Sequence, residues 1–102
     1  MKYQLVLQWP ASSIDDYDSM ISVEDSLIER LPNDSEVDGH DGGSGQVNIF
    51  IRTDSPVKTF EDVKHIIKDC ESWPDIRVAY RDIERNEYAI LWPKSLKEFK
   101  IL

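Results

Sequence analysis

The chain has 102 residues, 40% of them hydrophobic, and carries twenty Asp and Glu against twelve Lys and Arg, a formal net charge of −8. That length fits a single domain, residues 1–102, and three Trp, four Tyr and three Phe give too much apolar surface for a disordered chain. No segment approaches the roughly 20 apolar residues that span a bilayer, and the negative charge repels phosphate backbones, so neither a membrane nor a nucleic acid is an expected partner.

Met1-Lys2-Tyr3-Gln4 runs straight into a strand pattern without the apolar stretch of a signal peptide, so the expected location is cytoplasmic. One cysteine, Cys70, cannot make an internal disulfide, in keeping with a reducing compartment. Between Asp69 and Glu71 it is also a poor nucleophile, because neighbouring negative charge holds a thiol protonated.

Tyr3, Leu5, Leu7 and Trp9 alternate with Gln4, Val6 and Gln8, which predicts a half-buried strand that Pro10 ends. Ser12 and Ser13 offer helix caps, with Asp15 and Asp16 in the favourable first turn. A helix is expected from about Ile14 to Leu31. Ser22 and Asp25 form a second capping pattern, a point at which the helix can break and restart. At about 100° per residue, Tyr17, Met20, Ile21, Leu27, Ile28 and Leu31 form one apolar arc, and Glu24 falls near its middle. Either a break rotates Glu24 outward, or it is a partly buried acid with a specific partner.

Ser35 to His40 is a short polar strand candidate, and Asp41-Gly42-Gly43-Ser44-Gly45 reads as a turn. Val47 to Thr53 is the clearest strand, with Val47, Ile49 and Ile51 on one face. Thr59 to Cys70 is helical, its stripe made by Phe60, Val63, Ile66 and Ile67. Ile76, Val78 and Tyr80 alternate as a fourth strand, Glu84-Arg85-Asn86 makes a hairpin turn, and Glu87 to Trp92 is a fifth. The tail from Lys94 is a helical turn or a docked extension. This order predicts an α+β domain, a ferredoxin-like βαββαβ sandwich with an extra C-terminal antiparallel strand. One face of its sheet lies under the helices. The other is expected to be open and to carry Gln4, Gln8, Glu36, Asp38, His40, Asn48, Phe50, Arg52, Arg77 and Arg81, provided no strand slips by one residue.

Chemistry is most concentrated at Asp38-Gly39-His40-Asp41 and the glycines that follow. Two carboxylates bracket a histidine, and glycine lets backbone approach a ligand. Strand alternation points Asp38 and His40 together and Asp41 away. His65 lies on a separate helix, so no closed zinc site forms. The glycine run lacks the Lys-Ser/Thr pair of a phosphate-binding loop and precedes a strand. No metal and no cofactor is expected. The segment is either a hairpin turn with positive φ or, with Glu24 and Asn48, an acid–histidine pocket suited to general acid–base work.

The run from Val37 through Asp38-Gly39-His40-Asp41-Gly42-Gly43-Ser44-Gly45 and on to Asn48-Ile49-Phe50-Ile51-Arg52-Thr53-Asp54-Ser55-Pro56 resembles a family of small uncharacterised bacterial proteins. Tyr17-Asp18, Glu24-Asp25 and Tyr88-Ala89-Ile90-Leu91-Trp92-Pro93 look similar too. That resemblance implies no activity and transfers no catalytic residues. In size and acidity the chain also looks like the immunity proteins of bacterial toxin systems. The leading expectation is therefore a small acidic binding protein, an immunity-type inhibitor of a basic toxin or nuclease. Its expected contacts are Asp15, Asp16 and Asp18 with Asp34, Glu36, Asp38 and Asp41. The alternative is a small enzyme or ligand-binding domain using Glu24, Asp38, His40, Asp41 and Asn48. An open sheet face or an edge strand also leaves room for a homo-oligomer.

Overall fold

The computed structural model describes residues 1–13, 17–68 and 73–101. Five strands and two helices alternate along the chain: β1 (Tyr3–Pro10), α1 (Tyr17–Arg30), β2 (Ser35–Gly43), β3 (Gln46–Thr53), α2 (Pro56–Ile67), β4 (Arg77–Asp82) and β5 (Ala89–Trp92). The protein is α+β, with every strand pair antiparallel and the order β2-β3-β1-β4-β5 across one sheet.

Period-two alternation sets the packing. Leu5, Leu7 and Trp9 of β1, Ile49 and Ile51 of β3 and Val78 of β4 share one face. They pack under Met20, Val23 and Leu27 of α1 and Phe60, Val63 and Ile67 of α2. α2 starts at Pro56, whose missing N–H costs nothing in a first turn. Thr53 holds that start: its hydroxyl accepts from the Ser55 N–H at 2.9 Å and lies 2.8 Å from the Thr59 hydroxyl, both threonines being buried. Helix α1 runs unbroken through Ser22, so of the two alternatives the break does not occur and Glu24 stays on the buried arc. The start expected at Ile14 lies outside the described residues.

The second sheet face departs from expectation. Here Val6 and Ala79 are fully buried, beneath Phe99, Leu96 and Ile101 of the tail and Tyr88 of the β4–β5 connection. Gln8 and Asn48 point to this face as expected but are not solvated, at 1% and 2% exposure. The Gln8 amide nitrogen contacts Asn48 Oδ1 at 3.1 Å, Gln46 Oε1 at 3.2 Å and the Lys100 carbonyl at 2.8 Å. Those three acceptors surround one NH2, and Gln8 Oε1 has no hydrogen-bond partner. The tail is thus a docked extension, without regular structure, that closes the middle of a face expected to be open, over Val6, Gln8, Asn48 and Ala79. Among the described residues no helix is long and apolar enough to cross a membrane.

Several bounds also move. β2 continues through Gly43, so much of the expected turn is strand, and Ser44 and Gly45 alone make the hairpin turn. Their φ angles of 53° and 81° are those of a two-residue turn with both central residues left-handed. β5 begins at Ala89 rather than Glu87.

Candidate functional site

The site with the most chemistry sits where α1 crosses the β2 edge. Strand β2 pairs normally with β3 from Ser35 to Val37, opposite Thr53 to Ile51. A bulge at Asp38 then shifts the register, so that Gly39 faces Phe50 and His40 faces Ile49. A bulge places one extra residue in the strand and reverses the alternation beyond it. His40 is therefore carried to the helix face, and the expectation that it shares the other face with Asp38 is corrected. Gly39 takes φ 118°, a conformation glycine adopts without the strain other residues meet.

Turned this way, His40 Nδ1 lies 3.0 and 3.1 Å from the two carboxylate oxygens of Glu24. The acid's side chain is 10% exposed and the imidazole 28%. A carboxylate among Met20, Val23 and Leu27 is unfavourable without a donor, and the ring supplies one. A carboxylate, when ionised, only accepts, and Nδ1 is the ring nitrogen placed to donate to it. An imidazole held by a carboxylate is the orienting element of many acid–base sites.

The other expected site residues are dispersed. Asp15 and Asp16 lie outside the described residues, as does Cys70. Asp18 is exposed in the first turn of α1. Asp34 is bound to Lys58 at 2.9 Å, and Lys58 also reaches Asp62 at 3.0 Å. The hydrogen bonds that Lys58 donates to Asp34 and then to Asp62 raise its amine above the ordinary 10.5. A raised amine contributes stability that is complete below its unfolded pKa and fades as pH rises through the folded one, so this pair acts up to the alkaline range. Asp34→Asn should lower the Lys58 titration midpoint in an NMR pH series; an unmoved midpoint contradicts the pairing. Asp38 is paired with Arg52 at 3.1 Å. Glu36, opposite Arg52, and Asp41, opposite Asn48, lie on the sheet face away from the helices. Asn48 accepts from Gln8 inside the covered face. The five-residue pocket of Glu24, Asp38, His40, Asp41 and Asn48 is therefore not assembled: only Glu24 and His40 meet.

Among the described residues no three His, Cys, Asp or Glu are grouped to hold a metal ion. Two features escaped the sequence reading. One is the amide cluster under the tail. The other is a cleft of about 300 Å³ beside β2, lined by Leu27, Ile28, Leu31 and Val37 among others. Ile28 was part of the expected apolar arc but is 60% exposed there.

No family model, characterised protein or solved structure matches the chain.

Proposed function

We propose that the chain is a single ferredoxin-like domain that acts in the cytoplasm as a protein-binding module for a basic partner, of the kind immunity proteins use against a basic toxin or nuclease. The fold part of this reading is supported by the run β4-β1-β3-β2 within the sheet, with α1 joining β1 to β2 and α2 joining β3 to β4. The functional part is supported by charge placement.

Exposed acids with no ion-pair partner among the described residues lie on both α1 and β2. Asp18, Asp25 and Glu29 form a stripe on α1 opposite its buried side, and Glu36 and Asp41 project from β2 on the other side of the sheet. Such groups carry a field that their own protein does not neutralise. They steer a cationic surface into encounter and stand where a phosphate would stand on it. The resemblance in size and acidity to immunity proteins points the same way.

The test begins with capture of a stoichiometric partner at low salt and continues with stopped-flow association of the purified pair. Asp18→Asn/Asp25→Asn/Glu29→Gln and, separately, Glu36→Gln/Asp41→Asn should each leave folding intact. At least one of the two should slow association roughly tenfold at low salt, with dissociation changed much less. Unchanged association rates in both variants mean the acids are ordinary surface and the reading fails.

The Glu24–His40 contact favours a second reading, a ligand-binding or acid–base site centred on His40. Glu24→Gln keeps the size of the side chain but ends its action as a carboxylate. A small-molecule turnover that falls at least about a hundredfold in this variant, with stability held, is the result this reading requires.

A further inference from the structure

We infer that the β2 edge and the cleft beside it take an extended peptide segment of the basic partner by strand addition, with apolar side chains entering the cleft and alternating Lys or Arg side chains meeting Glu36 and Asp41. This rests on the protein-binding reading above and names its mode.

β2 is an outermost strand, so the hydrogen-bonding groups on its outer edge have no strand beside them. An added strand is met along such an edge by backbone groups, and its side chains fall alternately on the two faces of the sheet. On the helix face the next row of side chains meets the cleft lined by Leu27, Ile28, Leu31 and Val37, with Asn33, Ser35 and Glu36 also bordering it, roughly the volume of a few aliphatic side chains. Ile28, at 60% exposure, forms an apolar contact that the fold does not itself cover. On the other face the same strand meets Glu36 and Asp41, both exposed and without an ion-pair partner among the described residues. One edge therefore presents a partly apolar cleft, bordered by Glu36, on one side and the exposed Asp41 and Glu36 carboxylates on the other. That is the complement of a strand alternating apolar and cationic residues.

A second copy of this chain is the less favourable occupant. Pairing β2 with β2 sets Glu36 and Asp41 of one copy beside those of the other, and like charges on adjacent strands oppose pairing. The opposite edge, β5, is four residues long, and Pro93 follows it directly. Pro93 lacks an N–H and cannot extend that edge as a donor.

The probe is a short peptide alternating valine and lysine, compared with a scrambled peptide of the same composition and a version with every second amide N-methylated. Amide NMR of the isotope-labelled full chain reads the binding. The alternating peptide should shift Ile28, Glu36, Val37 and Asp38 saturably. N-methylation should weaken it at least about tenfold by removing the edge bonds. Ile28→Ser, at an exposed position, should also weaken it about tenfold. Three results overturn the inference. In the first, all three peptides bind alike with shifts spread over the α1 acids, which leaves acidic steering standing without strand addition. In the second, the alternating peptide does not bind while a captured basic protein still associates in a salt-dependent way. In the third, the unliganded protein dimerises through β2. Loss of salt-dependent association in the charge variants, by contrast, removes the parent reading rather than this mode alone.

Discussion

Ile49→Ala is expected to destabilise the protein by about 2–5 kcal/mol, the range for truncating a fully buried isoleucine. Ile49 has no exposed surface and sits in the central pair β1–β3, opposite Leu7 and beneath both helices. Truncation loses the transfer energy of the removed carbons and leaves a cavity that α1, α2 and β1 cannot all collapse to fill. Domains of this kind have stabilities of about 5–15 kcal/mol, so the loss is a large fraction of the total. Urea melts followed by tryptophan fluorescence report it directly, since Trp9 lies in the same cluster. A loss below about 0.5 kcal/mol, the size of an ordinary surface change, contradicts the β3 register.

Gly39→Ala should cost roughly 1–3 kcal/mol, a backbone strain rather than a clash. A Cβ built at Gly39 meets nothing within 4 Å, so there is room for the methyl group. What alanine resists is φ 118°. Relief of that strain requires the bulge to move, and moving the bulge by one residue turns His40 off the helix face. The variant should therefore lose stability and also release the Glu24–His40 contact, visible as a changed histidine ring signal by NMR. Stability lost with the His40 signal unchanged means that the strain is absorbed elsewhere and that Gly39 does not aim the ring.

Elements with strong periodicity were legible. β1, β3 and α2 show their faces in Leu5-Leu7-Trp9, Val47-Ile49-Ile51 and Phe60-Val63-Ile67, because burial of one face demands that spacing. The position of Glu24 on the apolar arc was legible for the same reason. The side taken by His40 was not. Ser35 to Gly43 is nearly all polar or glycine, so no apolar pattern pins its register, and the bulge that decides the matter leaves no periodic trace. The covering of the second face was hidden too. Leu96, Phe99 and Ile101 follow neither a helical nor a strand period, and a segment without repeating structure gives periodicity nothing to detect. The cleft depends on how far α1 stands off β2, which is a matter of packing rather than of local sequence.

The docking of the tail has a consequence for synthesis on the ribosome. Gln8 finds its carbonyl acceptor at Lys100, ninety-two residues later in the chain. Until that segment has emerged, the nascent sheet presents Val6, Ala79 and the Gln8 and Asn48 amides uncovered. Its helix-bearing side, by contrast, can be assembled once β4 is available. A chain arrested or released before residues 94–101 have emerged thus carries an exposed, partly apolar sheet that invites association with chaperones or with other incomplete copies.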